Sequence, residues 1–302
     1  MRSIRTDLAM ERQQMAGEME GMETKRRQAG EVEINTVRIR TPEAAQRIGR
    51  PCGRYVTISC AQRMQLEPAL REQLCSALAG ELGDMLPEKG DVLVVGLGNR
   101  RVTADALGPR VVDATLVTRH IREQLPETLA HRLRTVSAVA PGVLGVTGME
   151  TAEVVRGVVE HVRPGAVIAI DALAARDSSR ICSTIQLSDT GIAPGSGVGN
   201  HRKGLTQETL GVPVYALGVP MVVYASTIAR DAIDAMIGED EQEGGSIGAV
   251  IDRVVSARLG DLVVTPREVD ALMEHMAGLI ARSLNIALQS GLESDEIDAL
   301  MQ

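Results

Sequence analysis

Hydrophobic positions along this chain alternate between short continuous runs and stripes of helical period. The run Val92 to Val95 is too short for a helix and rich in β-branched residues, which predicts a buried strand. Gly96-Leu97-Gly98-Asn99 breaks it, and a helix-periodic segment begins near Ala104 with Leu107, Val111 and Val112. Ala166 to Ile170 is a second buried run, and Asp171 stands at its carboxyl end. Further β-prone stretches are 32 to 39, Tyr55 to Cys60, Val136 to Val139, 181 to 187 and 212 to 219. Pro68 to Leu86 predicts an amphipathic helix, with Leu70, Leu74, Leu78 and Leu82 on one face. A helical segment is expected to continue after Asp113 through Leu116, Ile121 and Leu125. Another spans Met149 to Val162, with Thr147 and Glu150 at capping-box spacing. Later helices are expected from Ser226 to Ile237 and from Pro266 to Gln289, the last capped by Thr265. Strands alternating with helices imply an α/β domain, with a mostly parallel, doubly wound sheet covered by helices on both faces.

The first 30 residues are polar and interrupted by Gly17, Gly21 and Gly30, so they read as an extension outside the core. Pro42 and the Gly49 to Gly53 turn read as separators. The acidic stretch near 238–246 is expected to be a mobile loop. No internal repeat or sharp boundary divides the rest.

Composition narrows the function classes. With no Phe or Trp and three Tyr, the core must be built from aliphatic residues and the 13 Met. A net charge of −8 argues against a nucleic-acid partner. No run approaches the ~18 apolar residues of a membrane span, and the start lacks the apolar segment of a secretory signal. A cytoplasmic protein is expected. The four cysteines form no C-x-x-C pair, which points to reduced thiols rather than zinc ligands or disulfides.

Several motifs fail on inspection. Gly96-x-Gly98 has Arg101 where a dinucleotide fingerprint needs its third glycine, and Gly195-x-Gly197 has Asn200 there. Such glycines can simply allow close backbone packing. Asp189-Thr190-Gly191 spells the aspartic-protease triplet, but one copy in an α/β pattern reads as a turn. No H-E-x-x-H or G-x-S-x-G is present. What remains is Asp105 and Asp171, each following a predicted central strand at the sheet end where α/β ligands collect. Two carboxylates held close can divide the work, one ionised to activate water and one protonated to polarise a carbonyl or protonate a leaving amine. Either could instead cap the helix that follows.

Long segments decide the weighting: GLGNRRVTADALGPRVV (96–112), APGVLGVTGMETAEVVRGVVE (140–160), the block from Ala169 to Val223 and VTPREVDALMEHMAGLIARSLNIAL (264–288). Together they resemble the spore germination protease family. The resemblance implies an endopeptidase that degrades small acid-soluble spore proteins, with a fold similar to hydrogenase maturation endopeptidases. It implies a homotetramer in the forespore or spore core, and a zymogen that removes its own propeptide. It places the catalytic pair at Asp105 and Asp171. Arg5 to Glu11 resembles the processing site, which implies a propeptide of residues 1–7 cut between Asp7 and Leu8, ahead of a single protease domain over 8–302. Departures are Arg100-Arg101, Ser59-Cys60 and Tyr224, where the family usually has Asp. The related maturation proteases bind a metal through an added histidine; none matches here, so no metal or other cofactor is expected. The alternatives are a metal-assisted maturation-type endopeptidase and a catalytically silent binding relative.

Overall fold

A computed structural model describes residues 6–60, 67–193, 203–237, 254–255, 258–260 and 262–300. The chain begins with α1 (Ala9–Ala16), the hairpin β1 (Met22–Ala29) and β2 (Val32–Ile39), α2 (Pro42–Ile48), β3 (Gly53–Cys60) and α3 (Pro68–Met85). The parallel part follows, with β4 (Val92–Gly96), α4 (Leu107–Asp113), the short α5 (Glu127–Ala130), β5 (Val136–Val139), α6 (Leu144–Thr147), α7 (Thr151–Val162) and β6 (Ala166–Ala175). It closes with β7 (Thr184–Ser188), α8 (Gln207–Leu210), β8 (Val214–Tyr224), α9 (Ala225–Ile237), β9 (Val263–Val264), α10 (Val269–Leu288) and α11 (Ser294–Leu300).

One sheet runs in the order β1-β2-β3-β7-β8-β6-β4-β5, with β9 paired to β8. Strands β5, β4, β6 and β8 pair in parallel, whereas β1, β2, β3 and β7 add an antiparallel half beside them. The parallel strands are apolar on both faces because helices cover both. On one face Val92, Val94, Ile168 and Ile170 join Leu74, Leu78 and Leu82 of α3, Leu107 of α4, and Met276 and Ile280 of α10. On the other, Leu93, Val95, Val167 and Ala169 meet Val155 and Val159 of α7 and Leu210 of α8. A separate cluster covers the antiparallel half, where Val37, Ile39 and Tyr55 meet Ala9, Ala44 and Ile48. Between these last two clusters the sheet carries the site.

Tertiary contacts overrule several expectations. The N-terminal stretch is part of the fold: Thr6, Leu8, Ala9 and Met10 are buried, and β1 pairs with β2 along its whole length. As a charged edge strand with Lys25, Arg26 and Arg27 exposed, β1 needs no hydrophobic alternation. Thr41-Pro42 starts α2, with Thr41 Oγ1 accepting from Ala44 N, where only a separator was expected. No α-helix continues beyond Asp113. Leu116 N donates to Asn285 Oδ1 of α10, and Thr118 and Arg119 donate to Val136 O, which bends the chain onto β5. Thr147 does not cap α7, which starts at Thr151, and its hydroxyl bonds Val143 O and Met149. Thr265 is not a cap either; its hydroxyl donates to Met221 O while α10 begins at Val269. The acidic loop and the Gly195 to Gly199 motif lie outside the described residues.

Candidate active site

Strand β4 ends at Gly96, which pairs with Ile170, while β6 runs on through Asp171 to Ala175. The loop leaving β4 is held against β6 by Leu97 N donating to Ile170 O at 2.8 Å. Its glycines serve close packing. A Cβ on Gly96 would lie 2.2 Å from Gly108 O, and one on Gly98, at φ +111°, would lie 2.0 Å from Asp105 O. A side chain at Gly96 would push α4 away from the end of β4, and one at Gly98 would displace Asp105. Asp105 closes a single 3-10 turn, Thr103–Asp105, and its Oδ2 accepts from Asn99 N at 2.8 Å.

Asp171 is 8% exposed, and its Oδ1 accepts from Ala172 N at 2.9 Å. It sits inside β6, paired with Gly218 of β8, so it caps no helix. Nor does Asp105, because Ala106 is the N-cap of α4. The capping alternative is thereby removed for both residues. They line one cavity of about 320 Å³.

A third carboxylate lines that cavity, Asp7. Its N–H donates to Ala174 O and its Oδ2 accepts from Ala174 N, each at 2.9 Å. Arg50, also in the lining, places Nη2 3.5 Å from Asp7 Oδ1 and 3.2 Å from Thr6 O. Arg12 Nε donates to the same Thr6 carbonyl at 3.1 Å. Burial, and then the neighbouring Arg50 charge, hold the Arg12 guanidinium below its ordinary pKa, with Asp7 opposing. The other predicted processing residue, Leu8, is fully buried in the main core. Farther on, Glu11 is 4% exposed, accepts from Arg176 N, Asp177 N and the Thr6 hydroxyl, and forms an ion pair with Arg180.

The sequence offered no sign of Arg50, Gln186 or the backbone nest around Glu11, because each depends on partners more than 40 residues away. The Asp189-Thr190-Gly191 turn is divided. Asp189 Oδ1 accepts from Arg54 N, while Thr190 and Gly191 line the cavity. Thr190 donates to Tyr55 Oη, and Tyr55 donates to Pro51 O; burial pushes the phenol pKa up and keeps it a donor. Arg100 points outward to Asp113, and Tyr224 is buried where β8 pairs with β9. Among the described residues no group of three or more His, Cys, Asp or Glu is placed to hold a metal ion, and no helix is long and apolar enough to cross a membrane.

A solved structure of the hydrogenase maturation protease HycI from Thermococcus kodakarensis KOD1 aligns at a TM-score of 0.34 and 17% identity, covering 68% of this chain and 98% of that one. The germination protease of Caldanaerobacter subterraneus subsp. tengcongensis is 43% identical, covering 99% of this chain and 98% of the relative. Those of Clostridium acetobutylicum, at 42% over 99% of both chains, and Bacillus cereus, at 39% over 98% and 96%, are similar at the same level. The family model for the germination protease matches residues 2–246. The chain is a peptidase and belongs to the germination protease family.

Proposed function

We propose that this chain is an endopeptidase of small acid-soluble spore proteins, made as a zymogen that cuts itself between Asp7 and Leu8. The reading has it working as a homotetramer in the cytoplasm of the forespore or spore core. Asp105 and Asp171 carry the reaction. The ionised carboxylate takes a proton from water, whose oxygen bonds to the carbonyl carbon. The protonated one polarises the carbonyl and then gives its proton to the leaving amine. The observation that carries this reading is that Asp7, Asp105 and Asp171 line one cavity, with the chain on both sides of Asp7 tied down. A segment so tethered occupies the cavity at high effective concentration, and cutting it removes that advantage.

Acidification should promote the cut by removing negative charge from the gathered carboxylates. Arg50 already offsets part of the repulsion on Asp7. The chain is therefore expected to convert to a form beginning at Leu8 as pH falls to mildly acidic values, with activity on added spore protein rising in step. Asp7→Lys should block conversion, since an ammonium would face Arg50, while a chain starting at Leu8 should be active from the outset. N-terminal sequencing and mass spectrometry of the digested spore protein decide the matter. An unchanged Met1 terminus in a fully active enzyme would rule the zymogen out.

Activity should also survive EDTA. Loss on chelation, restored by Zn²⁺ or Ni²⁺, would favour a metal-assisted maturation-type mechanism instead.

A further inference from the structure

We infer that Gln186 binds the carbonyl oxygen of the bond to be cut and stabilises the charge that develops there; this rests on the reading that cleavage falls between Asp7 and Leu8. Gln186 is in β7 and lines the cavity. Its Nε2 donates to Asp7 O at 3.0 Å, and its Oε1 accepts from Ala9 N at 2.7 Å. The amide orientation follows from its partners, because a carbonyl oxygen can only accept and a backbone N–H can only donate. One side chain thus holds the carbonyl of the Asp7–Leu8 peptide and the N–H of the peptide that follows it.

Sheet register puts this side chain on the catalytic face. Asn35 pairs with Thr57, Thr57 with Gln186, Gln186 with Gly218, and Gly218 with Asp171. Residues paired across strands share a face, so Gln186 and Asp171 lie on one face, with Gly218 between them and the Leu173 side chain packed over that glycine. Two strand spacings, about 10 Å between backbones, divide them. Strand β7 is hydrogen-bonded on both sides, to β3 and to β8, so the carboxamide projects from a fixed support.

The chemistry suits a neutral donor. As the water oxygen bonds to the Asp7 carbonyl carbon, the carbonyl π electrons move to oxygen, and an N–H already pointed there strengthens with the growing charge. When the tetrahedral intermediate collapses, the C–N bond breaks and the amine of Leu8 takes its proton from a carboxyl of the pair. Gln186 transfers no proton itself. Its carboxamide bonds main-chain groups of the segment, so it would serve substrates that differ in side chain on the amine side of the bond.

The test is the first-order rate of conversion of the full-length chain to the form beginning at Leu8, followed by mass spectrometry across pH. Gln186→Leu is expected to slow it by about 10²–10³-fold, the loss typical of one oxyanion donor. Gln186→Glu should be as slow near neutrality but regain rate over Gln186→Leu as pH falls through the carboxyl range, about 4–5, where the acid form has an O–H to donate. Hydrogen exchange of residues 6–11, measured in an uncut Asp171→Asn background, should show every amide but that of Ala9, which loses its Gln186 acceptor, equally protected with Gln or Leu at 186. Unchanged conversion in Gln186→Leu overturns the inference. So does loss of protection in proportion to lost rate, which would make Gln186 a docking pin. A wild-type chain never cut at Asp7–Leu8 removes the underlying reading itself.

Discussion

Asp105→Asn and Asp171→Asn should each lower self-cleavage and cleavage of added spore protein by about 10²–10⁴-fold, the range typical of a lost general acid or base, with thermal stability near that of the unaltered chain. Each carboxylate serves the fold as a hydrogen-bond acceptor. Asp105 Oδ2 accepts from Asn99 N, and Asp171 Oδ1 accepts from Ala172 N. An asparagine carbonyl can accept either bond in the same geometry, so the loop and the strand keep their supports. What the amide cannot do is take a proton from water or deliver one to an amine. Conversion rate, peptide kcat and a melting curve on the same preparations are sufficient. Wild-type kcat in either variant would reduce that residue to a loop fastener, and a collapsed melting temperature would make the kinetic loss uninformative for that residue.

The second large effect is expected at Glu11. Its carboxylate is 4% exposed and satisfies Arg176 N at 2.8 Å and Asp177 N at 2.9 Å, with Arg180 Nε at 3.3 Å and the Thr6 hydroxyl beside it. Glu11→Ala leaves two backbone donors without this acceptor and the mostly buried Arg180 guanidinium without its ion partner. Each buried unsatisfied donor costs about 1–3 kcal/mol. The segment can escape that cost by undocking, so the loss appears locally before the whole fold melts. Added protease should then cut within residues 6–16 of the variant while sparing the unaltered chain. Two functional consequences follow from an emptied cavity: the Asp7–Leu8 cut slows, and the uncut chain gains activity on added spore protein. A variant that stays protected and converts at the normal rate would remove Glu11 from the docking of the segment.

The placement of Asp105 and Asp171 was legible in the linear pattern for a definite reason. Val92 to Val95 and Ala166 to Ile170 are unbroken apolar runs, which only a strand covered on both faces tolerates. Two such runs in parallel bring their carboxyl ends to one side of the sheet. The glycines after β4 were legible only as a turn; that Gly96 and Gly98 bring the loop onto α4 and Asp105 required the packed structure. The N-terminal stretch was misread because its buried positions, Thr6, Leu8, Ala9 and Met10, have no helical or strand period; Ala9 packs against β2, α2 and β3, while Asp7 bonds Ala174 of β6 and Ala9 N bonds Gln186 of β7.

Local pattern was sufficient for the α/β class, the parallel centre and the position of the two aspartates beyond its strands, because burial on both faces imposes a composition that a window of a few residues reveals. The antiparallel half, the docked segment from Thr6 to Glu11 and the row from Asn35 through Thr57, Gln186 and Gly218 to Asp171 arose only with the assembled sheet. Their hydrogen bonds join residues such as Asp7 and Ala174, or Gln186 and Ala9, that are more than 160 positions apart. Strand register fixes such pairs, and no periodicity within a single segment encodes the register between two.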